Sequence, residues 1–244
     1  ASDFSRQFRS SFRGWWRAQR RARGALGAAF VLLRELWEFV RDSTPERRRS
    51  RYGDMDYDWE QRVNTTAGTV GWRTRILGIF HSAYQPTEPV AFQKMMAALP
   101  VDFREFTFID IGSGKGRTLL LAAEYPFKKI IGVELIAELH RAAEENIAVW
   151  RAQSPARRVA MLESLHMDAR EFALPEGPLV IYMFNPLPGP ALQQLTRNLE
   201  ESWKRLPRAI WIVYHNPLMD RVLMECNFVV RVRREPEFSV FKMG

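Results

Sequence analysis

The sequence predicts an α/β domain: a mainly parallel, doubly wound sheet of seven strands with helices on both faces, closed by a C-terminal antiparallel pair and preceded by a helical extension. Three observations predict it. From residue 106 onward, short apolar runs alternate with stretches of helical period. One run, Leu179–Phe184, is apolar without a break, as expected of a strand buried on both faces. The last two runs, 228–233 and 238–243, leave no room for a helix between them, which makes an antiparallel edge.

The elements follow in order. A helix over 90–99 starts after Pro89 and leads into a first strand, 106–111. A glycine-rich turn separates that strand from a leucine- and alanine-rich helix, 118–125. A second strand, 129–134, is followed by a helix over 137–152, and the apolar start of 159–163 marks a third strand. The fourth strand, 179–184, precedes a helix over 190–205. The fifth, 209–214, precedes a short helix over 218–226.

A chain of 244 residues corresponds to roughly one or two domains. At this size about 70–75% of the unfolded surface can be buried, so no metal or disulfide staple is needed. Cys226 is the only cysteine, which excludes an internal disulfide framework and fits a reducing, cytoplasmic setting. With one Cys and four His (His81, His140, His166, His215), zinc fingers and iron–sulfur clusters lack ligands. The net charge of +8 is confined to the first fifth of the chain. Residues 1–51 hold 13 Arg, no Lys and five acids, whereas residues 52–244 hold 23 bases and 23 acids. A basic isoelectric point is thus a property of the extension, and three segments are expected: 1–51, a basic amphipathic extension; 52–99, a lid with a loop and helix; and 100–244, the main domain.

In the extension, Phe4, Phe8, Phe12, Trp15 and Trp16 follow the rhythm of one helix face, interleaved with arginines. Its longest uncharged run, 24–33, is ten residues, half of what a spanning helix needs. No small-residue cleavage site makes it a signal peptide. Three readings stand side by side: helices packed on the main domain, a membrane-surface helix on anionic lipid, or a grip on RNA or another acidic partner through residues 4–51. The sequence does not give the oligomeric state.

The glycine turn reads Asp110-Ile111-Gly112-Ser113-Gly114-Lys115-Gly116-Arg117. Such a loop brings a ligand against bare backbone at the end of the first strand, beside a helix N-terminus. A P-loop fails, because Gly116 follows Lys115 and Ile109 stands where the first glycine belongs. A dinucleotide fingerprint fits Gly112 and Gly114, but Arg117 replaces its third glycine.

Asp110-x-Gly112-x-Gly114-x-Gly116 resembles motif I of the class I S-adenosylmethionine (SAM)-dependent methyltransferases. The resemblance covers about residues 84–244 and implies a Rossmann-like seven-stranded sheet with SAM as cofactor. It implies that Asp110 faces the methionine ammonium and that the backbone around Gly112, Ser113, Gly114 and Gly116 accommodates the methionine and ribose. Glu134, 24 residues after Asp110 at the end of the second strand, would hold the ribose hydroxyls. Asp168-Ala169, after the third strand, would lie at the adenine. Asn185-Pro186 ends the fourth strand and resembles the Asn-Pro-Pro-aromatic motif of N-methyltransferases, with Leu187-Pro188 in place of Pro-aromatic. There the Asn amide oxygen accepts a hydrogen bond from the acceptor nitrogen, so Asn185 and Pro186 are the catalytic candidates, Asn185 being expected at the cofactor as well.

A second pair, Asn216-Pro217, should end the neighbouring strand, with His215 beside it as a base of near-neutral pKa. Upstream, Tyr84-Gln85-Pro86-Thr87-Glu88-Pro89 resembles the loop that closes over SAM in protein-lysine methyltransferases, which makes Tyr84, Thr87 and Glu88 cofactor-loop candidates. Capping of the next helix is the alternative for Thr87 and Glu88. Residues 51–72, with Tyr52, Tyr57, Trp59, Asp54, Asp56 and Asp58, are expected either as an acidic, aromatic lid for a cationic amine or as a plain surface loop. The expected activity is methyl transfer to an amine nitrogen, protein lysine ahead of a small molecule. The alternatives are a small-molecule O-methyltransferase and a catalytically silent binding module using its basic arm.

Overall fold

The computed structural model describes residues 2–41, 55–66, 85–154, 161–185, 187 and 189–244. The chain divides into two compact units, one of residues 1–53 and 66–85, the other of residues 54–65 and 86–244.

In the first unit, α1 (Ser2–Arg41) is a helical run broken at Gly24, whose φ of 73° and ψ of 176° are not helical. A left-handed φ is cheap for glycine alone, so the break falls where the side chain is missing. Before it, Phe8, Phe12 and Trp16 stack successively at ring separations of 6.3 and 6.0 Å, along the face the spacing predicts.

The second unit opens with α2 (Met55–Gln61) and α3 (Pro89–Ala97). It continues through β1 (Thr107–Ile111), α4 (Arg117–Ala122), β2 (Lys129–Glu134), α5 (Ala137–Ala152) and β3 (Leu162–His166). Then come β4 (Leu179–Phe184), α6 (Gly189–Arg205), β5 (Ile210–His215), α7 (Asp220–Met224), β6 (Val229–Arg234) and β7 (Phe238–Met243). The seven strands form one sheet in the order β3-β2-β1-β4-β5-β7-β6. All pairings are parallel except those of β7, which runs antiparallel to both β5 and β6. Ile109, Ile111, Ile181 and Ile212 face one core with Leu192, Leu195 and Leu199 of α6. Phe108, Val180 and Val213 face the other, with Phe92 of α3, Leu119 of α4 and Ile147 of α5. Helices therefore cover both faces, as expected.

The expected strand at 159–163 is shifted. Residues 155–160 lie outside the described residues, and β3 pairs with β2 from Ile130↔Leu162 to Glu134↔His166. β3 is an edge strand whose burial alternates, so its signature is the spacing of Leu162 and Ser164 and not the apolar run before them.

Candidate active site

β1 and β2 lie side by side and deliver Asp110, the glycine loop and Glu134 to one edge of the sheet. Gly112, Gly114 and Gly116 have φ of 78°, 55° and 82°, so the loop turns through conformations that side-chain-bearing residues avoid. It is tied to the end of β2 by the Gly112 and Ser113 N–H groups, which donate to Val133 O at 2.8 and 3.1 Å. The Ser113 hydroxyl turns to the sheet at Gly132, where a Cβ would lie 2.6 Å from it, so Ser113 offers the loop's outer side its backbone only.

Glu134 is buried. Its Oε2 accepts from Gly114 N–H at 2.8 Å and its Oε1 from Ile136 N–H at 2.7 Å. Burial raises its pKa, and these bonds counter the shift. Asp110 is also buried. Burial and then the nearby Glu134 hold its carboxyl well above the usual range, opposed by the Thr118 hydroxyl. Burial and the neighbouring Glu134 favour the neutral form of Asp110 while the site is empty, so a cationic ligand that stabilises the ionised carboxylate is favoured there.

A second layer braces the loop from outside, and the sequence reading missed it. Arg117, the first residue of α4, is buried. Its Nη2 donates to Asp58 Oδ1 at 3.1 Å and its Nε to Thr65 Oγ1 at 2.6 Å, and its guanidinium lies 5.0 Å from the Tyr57 ring centroid. Asp58 also accepts from the Thr65 N–H at 2.7 Å and bonds the Thr65 hydroxyl. Asn146 of α5 accepts from Asn64 N–H at 2.8 Å and donates to Asn64 O and Lys115 O, both at 3.0 Å. Lys115 Nζ donates to Asn64 Oδ1 at 3.3 Å, and burial lowers its pKa to about 8. Asp58 and Tyr57 are thus turned into the domain, which corrects the expectation of an acidic lid as far as they are concerned. Asp56 and Trp59 stay exposed, and Tyr52 and Asp54 lie outside the described residues.

The ends of β4 and β5 form the other half of the site. Phe184 pairs with His215 in register, so Asn185 and Asn216 emerge side by side, as the spacing predicts. Both are left-handed, with φ of 43° and 47°, a conformation that Asn tolerates better than most residues. Asn185 Oδ1 accepts a long bond from Leu218 N–H at 3.4 Å. Pro186 lies outside the described residues. Behind Asn185, the buried Tyr182 hydroxyl lies 2.6 Å from Thr87 Oγ1 and 2.8 Å from His215 Nδ1. The His215 ring lies against Phe184, with centroids 4.0 Å apart. Burial pushes its pKa down to about 4, which corrects the expectation of a near-neutral base.

Thr87 therefore reaches the β4–β5 end through Tyr182 and does not cap α3. Glu88 occupies the N-cap position of α3 and makes no side-chain cap bond. Tyr84 lies outside the described residues. Asp168 follows β3, and its carboxylate is clasped by Arg170 Nε at 3.0 Å and Nη2 at 2.5 Å. Ala169 is buried in the core.

The residues present fit SAM. The ligand carries an ammonium and a sulfonium for the paired carboxylates. Each Glu134 oxygen keeps a lone pair for a ribose hydroxyl beyond its backbone donor. The left-handed glycines leave the loop bare. Strand order and antiparallel β7 are those of a Rossmann-like seven-stranded sheet closed by a C-terminal antiparallel pair. Among the described residues, no cluster of three His, Cys, Asp or Glu is placed to hold a metal ion, and no helix is long and apolar enough to cross a membrane.

No protein-family model matches the chain, and no curated protein does. Among solved structures, it is similar to a ribosomal protein L11 methylase from Lactobacillus delbrueckii subsp. bulgaricus (14% identity, 66% of this chain and 80% of that one, TM-score 0.45). It is also similar to an RNA methyltransferase from Salinibacter ruber in complex with S-adenosyl-L-homocysteine (20% identity, 65% and 92%, TM-score 0.44). A third is a predicted N6-adenine-specific DNA methylase from Listeria monocytogenes (13% identity, 65% and 51%, TM-score 0.47).

Proposed function

We propose that the chain transfers a methyl group from SAM to an amine nitrogen, a protein lysine being the favoured acceptor. The observation that carries the reading is the buried pair Asp110 and Glu134 flanking three left-handed glycines, a cradle for a cationic, hydroxyl-bearing ligand. Asp110 receives the methionine ammonium. Glu134 receives the ribose hydroxyls while keeping its two backbone donors.

Bound SAM supplies an electrophilic methyl carbon together with its leaving group. The chain's own task is to align the acceptor at about 3–3.5 Å and to exclude water. Asn185 Oδ1 takes an N–H of the acceptor in exchange for its long bond to Leu218, and so turns the nitrogen lone pair toward the methyl carbon. The amine must arrive neutral, because an ammonium has no lone pair. With a pKa near 4, His215 is too weak a base to deprotonate it, so the proton leaves to solvent and turnover rises with pH. The same weakness disfavours O-methylation of a poorly acidic hydroxyl. The motif I run through Arg117 and the proline loop at residues 84–89, in the style of protein-lysine enzymes, support lysine over a small molecule.

Calorimetry and a labelled-methyl transfer assay test the reading. Wild type should bind SAM and not NADH, and Gly114→Arg should abolish SAM binding. The label should be found on nitrogen by mass spectrometry. Unimpaired SAM binding by Gly114→Arg would sink the cofactor assignment. A methyl group on oxygen would favour the O-methyltransferase alternative, and binding without transfer the silent module.

A further inference from the structure

The second half of α1 exposes what a soluble helix normally hides. Leu26, Phe30, Leu33 and Trp37 are 89%, 69%, 66% and 61% exposed. At about 100° per residue these four positions fall within an arc of about 60°, on a ridge about 16 Å long. Ala28 and Val31, on the opposite side, are buried. The ridge is therefore not the helix's packing face but a second apolar face, of a kind that marks an interaction surface. Beyond Gly24, in the first half of α1, Arg9, Arg13, Arg17 and Arg20 recur at helical spacing and are exposed. No acid occurs between Phe4 and Arg34, and no lysine in residues 1–51.

We propose that α1 seats the protein on an anionic lipid surface, with the Leu26–Trp37 ridge entering the acyl boundary and the arginines of the first half binding lipid phosphates. Guanidinium groups pair with phosphate oxygens in a bidentate fashion, which suits the exclusive use of arginine. RNA would meet the arginines but leave the ridge in water. A second copy of the chain would cover the ridge but bring no counter-charge to the arginines. An anionic bilayer surface satisfies both features at once, and a helix lying in the interface needs no spanning length. The placement is independent of the acceptor and of SAM.

Vesicle flotation of the full chain tests it, using phosphatidylcholine alone and phosphatidylcholine with one third phosphatidylglycerol. The protein should float with the anionic vesicles, at least ~10-fold more than with neutral ones, and less so at high salt. Leu26→Ser/Phe30→Ser/Leu33→Ser and Arg9→Gln/Arg13→Gln/Arg17→Gln/Arg20→Gln should each lose ~10-fold or more while still binding SAM. In the unmodified chain, lipids brominated on their acyl chains should quench tryptophan fluorescence, and Trp37→Phe should remove most of that quenching. This arm does not depend on the multiple variants folding. Equal flotation with neutral vesicles, ridge variants that float like wild type, or no quenching would overturn the proposal. So would RNA binding indifferent to the ridge, or a dimer that the ridge substitutions dissolve in a protein that does not float.

Discussion

Asp58→Ala removes a counter-charge of a guanidinium whose side chain is 1% exposed, Asp58 itself being 12% exposed. Water screens little at that burial, so the loss is set by the ion-pair and hydrogen-bond partner taken from Arg117. Deleting one partner of a buried pair costs about 3–5 kcal/mol. Asp58 also holds the Thr65 N–H and hydroxyl, so the upper part of that range is expected. For a chain of this length each kcal/mol moves Tm by about 2–4 °C, so a loss of about 4–5 kcal/mol makes the expected fall about 8–20 °C. Asp58→Asn keeps an acceptor oxygen and should lose less. Asp58→Ala/Arg117→Met removes both charges and should recover at least ~2 kcal/mol relative to Asp58→Ala, because an apolar pair can replace a buried ion pair nearly neutrally. Arg117 follows the last loop glycine directly, so Asp58→Ala should also weaken SAM binding. Urea unfolding followed by circular dichroism gives the stabilities, and calorimetry the affinity. An Asp58→Ala stability within about 1 kcal/mol of wild type, the range of a surface pair, would refute the reasoning. So would a double variant no better than the single.

Three further outcomes are expected. The Asp110 pKa is raised, so its contribution to stability is fully present below its ordinary 3.8 and is lost as pH rises through the folded value; without ligand the protein should therefore lose stability toward neutrality while SAM binding tightens over the same range. Asp110→Asn should flatten both trends in thermal melts and calorimetry, and a pH-independent SAM affinity in wild type would contradict them. His215 should stay neutral by NMR down to about pH 4, and Tyr182→Phe should change which ring nitrogen carries the proton without altering SAM affinity more than a few-fold; a titration at an ordinary histidine value would be the contrary result. Asn185→Gly keeps the left-handed backbone but removes the amide, so turnover should fall at least ~30-fold, the lower end of about 2–4 kcal/mol for one preorganised polar group, with SAM affinity within a few-fold of wild type; near-normal turnover would take Asn185 out of the mechanism.

The fold was legible where a strand is buried on both faces. β1, β2 and β4 carry uninterrupted or nearly uninterrupted apolar runs, and their limits follow from those runs to within a residue. It was less legible at the edges. β3 exposes alternate residues to water, so the continuous-run criterion placed it upstream of its true pairing with β2. The order of the last strands was likewise only half visible. A chain without a helix between two runs signals an antiparallel pair, but nothing local says that β7 inserts between β5 and β6.

The candidate site divides along the same line. Asp110, the three glycines, Glu134 and Asn185 were readable because each sits at a strand end, and strand ends have local signatures. The brace on the loop was not, because Asp58 and Arg117 are 59 positions apart and neither leaves a pattern around itself. In the sequence Arg117 registered as the end of the glycine motif and as a residue standing where another family has glycine, not as part of a brace. Its position at the start of a buried helix makes it the opposite of a defect: a charge placed there has to be met, and the segment 57–65 supplies the carboxylate, the hydroxyl and an aromatic face. Asp56 and Asp58 looked alike in sequence, yet two residues on a helix are about 200° apart. One is left in water while the other enters the domain, so composition alone could not say which acid stays outside and which holds the loop. His215 makes the same point for chemistry. Its residue type promised a base near neutrality, and the apolar setting beside Phe184 removed that option. What remains is a neutral chain of Thr87, Tyr182 and His215 that links the segment before α3 to the end of β5 and is too weakly basic to take a proton near neutrality.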